Sequence, residues 1–350
     1  MPARLTVFVP GLFGPLTGIH PEMLEPPRLT ALERWWSLGR PMSLQLPVVS
    51  APEQMFLLLF GVPCEGELPG ARLSLAAQGI EPPSASLWRA DPVYARAGTV
   101  DVHIDDRAVL PVTAQESETL CRDFNRDFDA RGWRLWASRP GQWYLQSTQP
   151  LQVTTVPLSI ALGRGLEGIM PSGPDGARLR ALLNELQMWL FEHPLNQARE
   201  AQGCPPINSI WPWGAGEAGL PRKHWRALWA VDDFYRGAGK VAGADLVATV
   251  PADGTALVPA LPASGEAMLV LDSLLRPAAL GDVGQWYDTL QQLDRDWFAP
   301  LLDALVQRRV QAIHLAGGAR HGFVLRRGDL WRIWRRRHPL TRFVTTASGL

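Results

Sequence analysis

Three carboxylates stand where apolar runs stop. Asp232 and Asp233 follow Ala227 to Val231, and Asp272 follows Met268 to Leu271. Ligand and metal sites of open α/β sheets gather at the carboxyl ends of strands. Asp232, Asp233 and Asp272 are therefore candidate metal ligands, with His314 or His321 as the nitrogen donor. A simpler role competes with this. Asp272 precedes Ser273-Leu274-Leu275 as a helix cap would, and Asp232-Asp233 could open a turn in the same way. Capping is the expected role, because spacing alone does not make four side chains converge.

Nucleophiles and phosphate cradles are missing. No Gly-x-Ser-x-Gly elbow occurs, although Val7-Phe8-Val9-Pro10-Gly11-Leu12 has the flavour of a hydrolase oxyanion loop, so an α/β-hydrolase is not expected. Gly214-Ala215-Gly216 lacks a following Lys-Ser/Thr and reads as a turn. His20, His103, His193, His224 and His338 are scattered, and each reads first as a structural or surface residue. The tail carries Arg320, Arg326, Arg327, Arg332, Arg335, Arg336, Arg337 and Arg342 against Asp329 alone. Interleaved with Trp331 and Trp334, these arginines could grip phosphate or stack on bases. The favoured reading is blander: a short helix capped by Asp329, whose tryptophans pack inward while its arginines meet solvent.

The elements that must position these residues follow from patterning. Leu5 to Val9, stopped by Pro10-Gly11, reads as a buried strand. Leu29, Leu32, Trp35 and Trp36 recur at helical spacing, and Glu53 to Phe60 gives a second short helix. From Arg89-Ala90-Asp91-Pro92 the texture changes. Val100, Val102 and Ile104 alternate with polar residues, Leu120, Cys121, Phe124 and Phe128 share a helical face, and two tryptophan-bearing strands flank Arg139-Pro140-Gly141. A helix with Leu179, Leu182, Leu183, Leu186 and Leu190 on one face is expected after Asp175 as its N-cap, ending before Pro194. Ile207 to Trp213 and Val310 to Leu315 read as strands, and Trp286, Leu290, Leu293 and Trp297 mark a long helix. The expectation is an α/β core over 1–88 and 166–350 with a small inserted α+β lobe over 89–165.

Charge and cysteines bound the setting. The 34 basic and 34 acidic residues cancel, so no global field steers the chain toward nucleic acid or an anionic membrane. Cys64, Cys121 and Cys204 form no CxxC pair and read as free thiols of a reducing compartment. The first sixteen residues read as neither signal peptide nor membrane anchor, so a cytoplasmic protein with no membrane partner is expected.

One long segment carries a resemblance. It runs from Leu183-Asn184-Glu185-Leu186 through His193-Pro194-Leu195-Asn196 and Arg199 to Pro205-Pro206-Ile207-Asn208-Ser209-Ile210-Trp211-Pro212-Trp213-Gly214-Ala215-Gly216. It resembles the proteobacterial regulatory proteins of the Rpf E type, and it is similar to a segment of archaeal-type cofactor-independent phosphoglycerate mutases of the alkaline phosphatase superfamily. Val9-Pro10-Gly11-Leu12, Arg89-Ala90-Asp91-Pro92-Val93 and Asp329-Leu330-Trp331 with Trp334-Arg335-Arg336 add to it.

The resemblance implies a three-layer alkaline-phosphatase-like core with an inserted lobe. Active members use a phosphate-carrying serine and two divalent metals held by Asp and His. Here Pro10-Gly11 stands where the first strand should end in Asp, the serine has no clear counterpart, and Leu315-Ala316-Gly317-Gly318 replaces a late Asp-His-Gly. The expectation is a catalytically degenerate, regulatory protein with no cofactor, acting through an unknown small ligand or protein partner. Its cleft is placed near His193, Asn196, Asn208, Trp211, Trp213 and Asp272. Two alternatives are kept. One is an active mutase or phosphatase with two manganese or zinc ions on Asp232, Asp233, Asp272 and His314. The other is a nucleic-acid-binding module using the arginine-rich tail, although a nucleic acid partner is not the favoured expectation.

Overall fold

The computed structural model describes residues 3–14, 27–42, 51–62, 66–83, 86–97, 102–104, 110–217, 219, 223–317, 322–332, 334–340 and 343. His20, Cys64, Val100, Gly318, Arg320, His321 and Arg342 lie outside the described residues. In chain order the strands are β1 (Ala3–Phe8), β2 (Arg40–Met42), β3 (Ser86–Val93), β4 (Ala95–Ala97), β5 (Val102–Ile104), β6 (Trp133–Arg139), β7 (Gln142–Ser147), β8 (Ser209–Trp213), β9 (Ala227–Trp229), β10 (Leu246–Ala248), β11 (Glu266–Val270), β12 (Val310–Ala316) and β13 (Gly322–Arg326). Among the described residues no helix is long and apolar enough to cross a membrane.

The chain divides into two compact units, residues 1–62 with 220–350, and residues 63–219. The first holds a mixed sheet in the order β10-β9-β11-β1-β12-β13-β2. β10, β9, β11, β1 and β12 run parallel, and β13 and β2 are added through antiparallel pairings. Alternation in the central strand feeds both faces. Leu5, Val7 and Val9 join a core with Trp35, Trp286, Leu290, Phe298 and Leu305 from the helices Thr30–Leu38, Val283–Leu293 and Ala299–Val306. Phe8 points the other way, to Phe56 and Tyr235 of the helices Pro52–Phe60 and Asp233–Val241. Helices on both faces make this unit the expected three-layer α/β core.

The second unit is α+β. Its antiparallel sheet has the order β6-β7-β3-β8. One face carries Trp88, Trp133 and Leu145 against Phe124 and Phe128 of the helix Ala114–Phe128 and Leu179, Leu183 and Leu186 of the helix Gly176–Glu192. On the other face Ala71 and Leu75 of the helix Gly70–Gln78 pack on Leu87 and Tyr144. That packing sets the unit's limits. The expected boundaries at 89 and 165 would strip away the helix Gly70–Gln78, the helix Gly176–Glu192 and β8, each of which covers or extends this sheet. Asp175 also departs from expectation, because its carboxylate accepts the Gln152 N–H at 2.8 Å instead of a donor in the helix's first turn.

Candidate functional site

Four of the expected cleft residues are consumed by contacts inside the second unit, three with backbone groups and one with a carboxylate. Asn196 is buried, donates to the Leu190 and Ile207 carbonyls at 2.8 and 2.7 Å, and accepts the Ile207 N–H at 2.8 Å. The Asn208 amide pairs with both backbone groups of Ala95, each at 2.7 Å. Trp211 donates its indole N–H to the Val156 carbonyl. Trp213 donates to Asp91 Oδ2 at 2.7 Å, while Arg89 pairs with Asp91 Oδ1 at 2.8 Å and lies over the Trp213 ring. These groups fasten β8 to its neighbours and leave little to offer a ligand.

Gly214-Ala215-Gly216 continues that fastening. A Cβ on Gly214, which has φ +79°, would stand 2.6 Å from the Gly70 nitrogen, and a Cβ on Gly216 would collide with the Glu67 carbonyl. The absence of side chains lets two backbones touch. The half-buried Glu67 carboxylate accepts from Gly214 N–H at 3.0 Å and from the Thr155 N–H and hydroxyl. Burial pushes its pKa up despite these bonds. The expected plain turn is thus a clasp between three segments.

His193 differs from its four companions. It caps the helix Pro194–Ala201 by accepting the Leu195 N–H on Nδ1, and its Nε2 lies 3.3 Å from Asp123. It borders a groove of about 540 Å³ that is also lined by Thr119, Gln202 and Arg199. Arg199 is buried, bonded to the Pro205 and Pro111 carbonyls and paired with Glu116 at 2.6 Å. Burial raises the Glu116 pKa, but the Thr113 N–H and Arg199 outweigh it and hold the carboxyl below its usual value. The Arg122 guanidinium does the same for Asp123. The groove's charges are therefore matched internally.

Asp272 belongs to the other unit, as do Asp232, Asp233 and His314. Asp232 and Asp272 follow the adjacent strands β9 and β11 at the carboxyl edge of the large sheet. Burial and the nearby Asp232 charge push Asp272 up to about 6. A cavity of about 220 Å³ opens there, lined by Val231, Val250, Asp272, Ser273, Thr289 and Asp296. The other two candidates do not join them. Asp232 accepts the Phe234 N–H at 2.7 Å as an N-cap, and Asp233 pairs with Arg236. His314 lies within β12 opposite Thr6, and its charged neighbours are Glu266, Lys223, Arg4 and Arg326, with burial lowering its pKa. Among the described residues no three His, Cys, Asp or Glu side chains converge as metal ligands. The described donors do not come together as a two-cation site.

The loops beside that cavity are packed shut. Gly11, with φ +83°, leaves so little room that a Cβ would stand 2.6 Å from the Leu274 carbonyl oxygen. Its own carbonyl accepts the Trp286 indole N–H at 2.8 Å. After β12, a Cβ on Gly317 would meet Leu12 at 2.5 Å. The ends of β1, β11 and β12 thus meet through glycine backbone and apolar side chains.

No family model matches the chain. Over 169 residues, 44% of this chain, it is 30% identical to the 2,3-bisphosphoglycerate-independent phosphoglycerate mutase of Methanothrix thermoacetophila. Over 110 residues it is 34% identical to a probable enzyme of the same name from Geobacter sulfurreducens. These matches cover 43% and 27% of the relatives, so the chain spans less than half the length of the curated proteins it matches. The PH0037 protein from Pyrococcus horikoshii superimposes with a TM-score of 0.51 at 16% identity, over 99% of this chain and 92% of that one. This chain is similar to phosphoglycerate mutases. Its fold is that of the Pyrococcus protein.

Sequence patterning misses the buried Asp91 and Arg199 and the half-buried Glu67, the charges that organise the mutase-like segment. Asp91 and Arg199 lie within the resembling motifs, yet nothing in spacing says that their partners are Trp213 and Glu116. The tail corrects an expectation outright. Trp331 and Trp334 are 72% and 76% exposed. The tail is anchored by other groups: Asp329 by Arg40 and Arg332, Arg335 by the Ser37 and Gly39 carbonyls, and His338 by the Ser37 hydroxyl. Residues 327–331 form one short 3-10 turn, so no helical face carries the indoles inward.

Proposed function

We propose that this chain is a catalytically degenerate, phosphoglycerate-mutase-like protein that works by binding a small ligand or a protein partner, in keeping with the regulatory proteins it resembles. The observation that carries the reading is the packing of Gly11 against Leu274 and Trp286. Where the resemblance implies an acid at the end of the first strand, the chain has a glycine in a left-handed turn with no room for a side chain. A two-metal phosphoryl transfer must neutralise charge on both the attacking and the leaving oxygen. Asp272 next to Asp232 is a poor substitute, because burial and like charge favour its neutral form. The ligand-sized space that remains at this edge is the Asp272 cavity.

The test is metal analysis of the purified chain after exposure to manganese and zinc, followed by mutase and general phosphatase assays with 3-phosphoglycerate and a chromogenic phosphate ester. The expected result is substoichiometric metal and no turnover above buffer. Stoichiometric divalent metal together with robust turnover would establish an active enzyme with a rearranged site and reject the proposal.

A further inference from the structure

Two tryptophans of the tail, Trp331 and Trp334, are the most exposed large apolar side chains of that segment among the described residues. Trp331 closes the turn at 327–331 and Trp334 follows three residues on, and both indoles face solvent. The polypeptide beneath them is held firmly. Asp329, Leu330 and Leu340 are buried, the Trp36 indole N–H donates to the His338 carbonyl at 2.6 Å, and Arg335 reaches two carbonyls at 3.3 and 3.2 Å. The rings are therefore presented on an ordered platform and pay little ordering entropy on binding.

Charge surrounds them. Arg326, Arg335, Arg336 and Arg337 are exposed in the same segment, and its acid, Asp329, is buried between Arg40 and Arg332. Arg337 lies near enough to Glu33 for its charge to act on that carboxylate. The chain as a whole is neutral, so this excess of positive charge is local. Flat apolar rings amid guanidinium groups complement a polyanion that carries flat faces.

We propose that this patch binds single-stranded nucleic acid, with bases stacked on Trp331 and Trp334 and backbone phosphates held by Arg336 and Arg337. Stacking on an aromatic side chain needs no particular base, and the guanidinium fork matches a phosphate. An anionic membrane surface shares the phosphate chemistry but fits less well. Interfacial segments bury aliphatic residues beside their tryptophans, whereas among the described residues of this segment Leu330 and Leu340 are already committed to the protein core.

The test is fluorescence anisotropy of a labelled oligothymidylate of about 20 nucleotides with the full chain at about 50 mM and about 200 mM salt. The expected result is saturable binding that weakens as salt rises. Replacing either tryptophan, Trp331→Ala or Trp334→Ala, should weaken it by about 5- to 150-fold. The pair Trp331→Tyr with Trp334→Tyr keeps flat rings and should retain binding to within a few fold. Arg336→Ala with Arg337→Ala should lower the slope of log K against log salt by about 1.4. Thermal unfolding at the wild-type temperature establishes that each variant is folded, as expected for exposed positions. No binding by the wild type at the lower salt, or equal binding by the two alanine variants, overturns the proposal. So does tryptophan-dependent pelleting with phosphatidylserine vesicles in the absence of oligonucleotide binding, which would assign the patch to a membrane surface.

Discussion

The Trp286 indole N–H donates to the Gly11 carbonyl at 2.8 Å, tying the helix Val283–Leu293 to the loop after β1 at the carboxyl edge of the sheet. Trp286 is buried in the core beneath that loop. The bond and the ring thus contribute separately. Trp286→Phe removes the donor and is expected to cost about 1 kcal/mol, while Trp286→Ala also opens a cavity and is expected to cost about 3–5 kcal/mol. Gly11→Asp restores the acid that the resemblance implies, yet it must place a Cβ against the Leu274 carbonyl at positive φ. It should destabilise the fold by more than about 1 kcal/mol and confer no metal binding. Denaturant unfolding with and without manganese measures both effects.

Asp272 makes a pH prediction with a definite sign. Its folded pKa, about 6, lies above the ordinary aspartate value of 3.8 because of burial and the Asp232 charge. The folded state therefore holds the proton more tightly than the unfolded chain, and the associated stability is fully present below about pH 4 and lost as pH rises through about 6. The shift corresponds to roughly 2–3 kcal/mol. Asp272→Asn removes the titration, so the variant should be more stable than wild type at pH 7.5 by up to that amount and should show little advantage at pH 4. Urea unfolding of the two proteins at both pH values decides it, and an unchanged difference between them would refute the assignment.

Asn196 tests whether the most recognisable segment of the chain is structural. Its side chain satisfies the Leu190 and Ile207 carbonyls and the Ile207 N–H in a buried setting. Asn196→Ala strands three backbone groups, each costing about 1–3 kcal/mol if water cannot reach it. A loss of about 3 kcal/mol or more is expected, with cooperative unfolding of residues 63–219 at lower denaturant. Asn196→Asp keeps the acceptor but turns a donor into a second acceptor facing two carbonyls, and it should be no milder.

Much of the architecture is legible in local pattern. Leu5 to Val9 announces a buried strand because a strand covered on both faces has no polar alternation, Val310 to Leu315 reads as a strand, and β1 and β12 are adjacent in the sheet. The five leucines after Asp175 announce a helix because their spacing makes one apolar face, and all five are buried. What fails is whatever depends on a distant partner. The lobe's limits escape because Leu75 covers Tyr144 across the chain, and the Asp175 carboxylate turns to Gln152 instead of its own helix. Capping, the expected role, holds for Asp232, which meets the Phe234 N–H, and Asp233 finds Arg236 three residues away; what spacing does not show is that Asp272 comes near Asp232 while His314 lies in the field of Glu266. Trp331 and Trp334 are misjudged because an inward-facing pair requires a helix, and a single 3-10 turn provides none.

Asp294 shows how far such a partner can lie, and it supplies the last prediction. The helix Thr30–Leu38 begins after Leu29, which has no capping side chain, and its Ala31 and Leu32 N–H groups are met by Asp294 at 3.2 and 2.6 Å. Asp294 opens the π-helical turn 294–298, a geometry often found where a helix must offer a side chain to something outside itself. Burial raises its pKa despite the bonds it accepts, so its charged form is disfavoured on balance. Asp294→Ala uncaps the helix and should cost about 1–2 kcal/mol. Asp294→Asn keeps one acceptor oxygen and sheds the buried charge, so it should recover part of that loss at pH 7 and a smaller part at pH 4, because the raised pKa lets the aspartate take up its proton more readily as pH falls. If the two variants unfold at the same urea concentration at both pH values, the carboxylate is not acting as the cap.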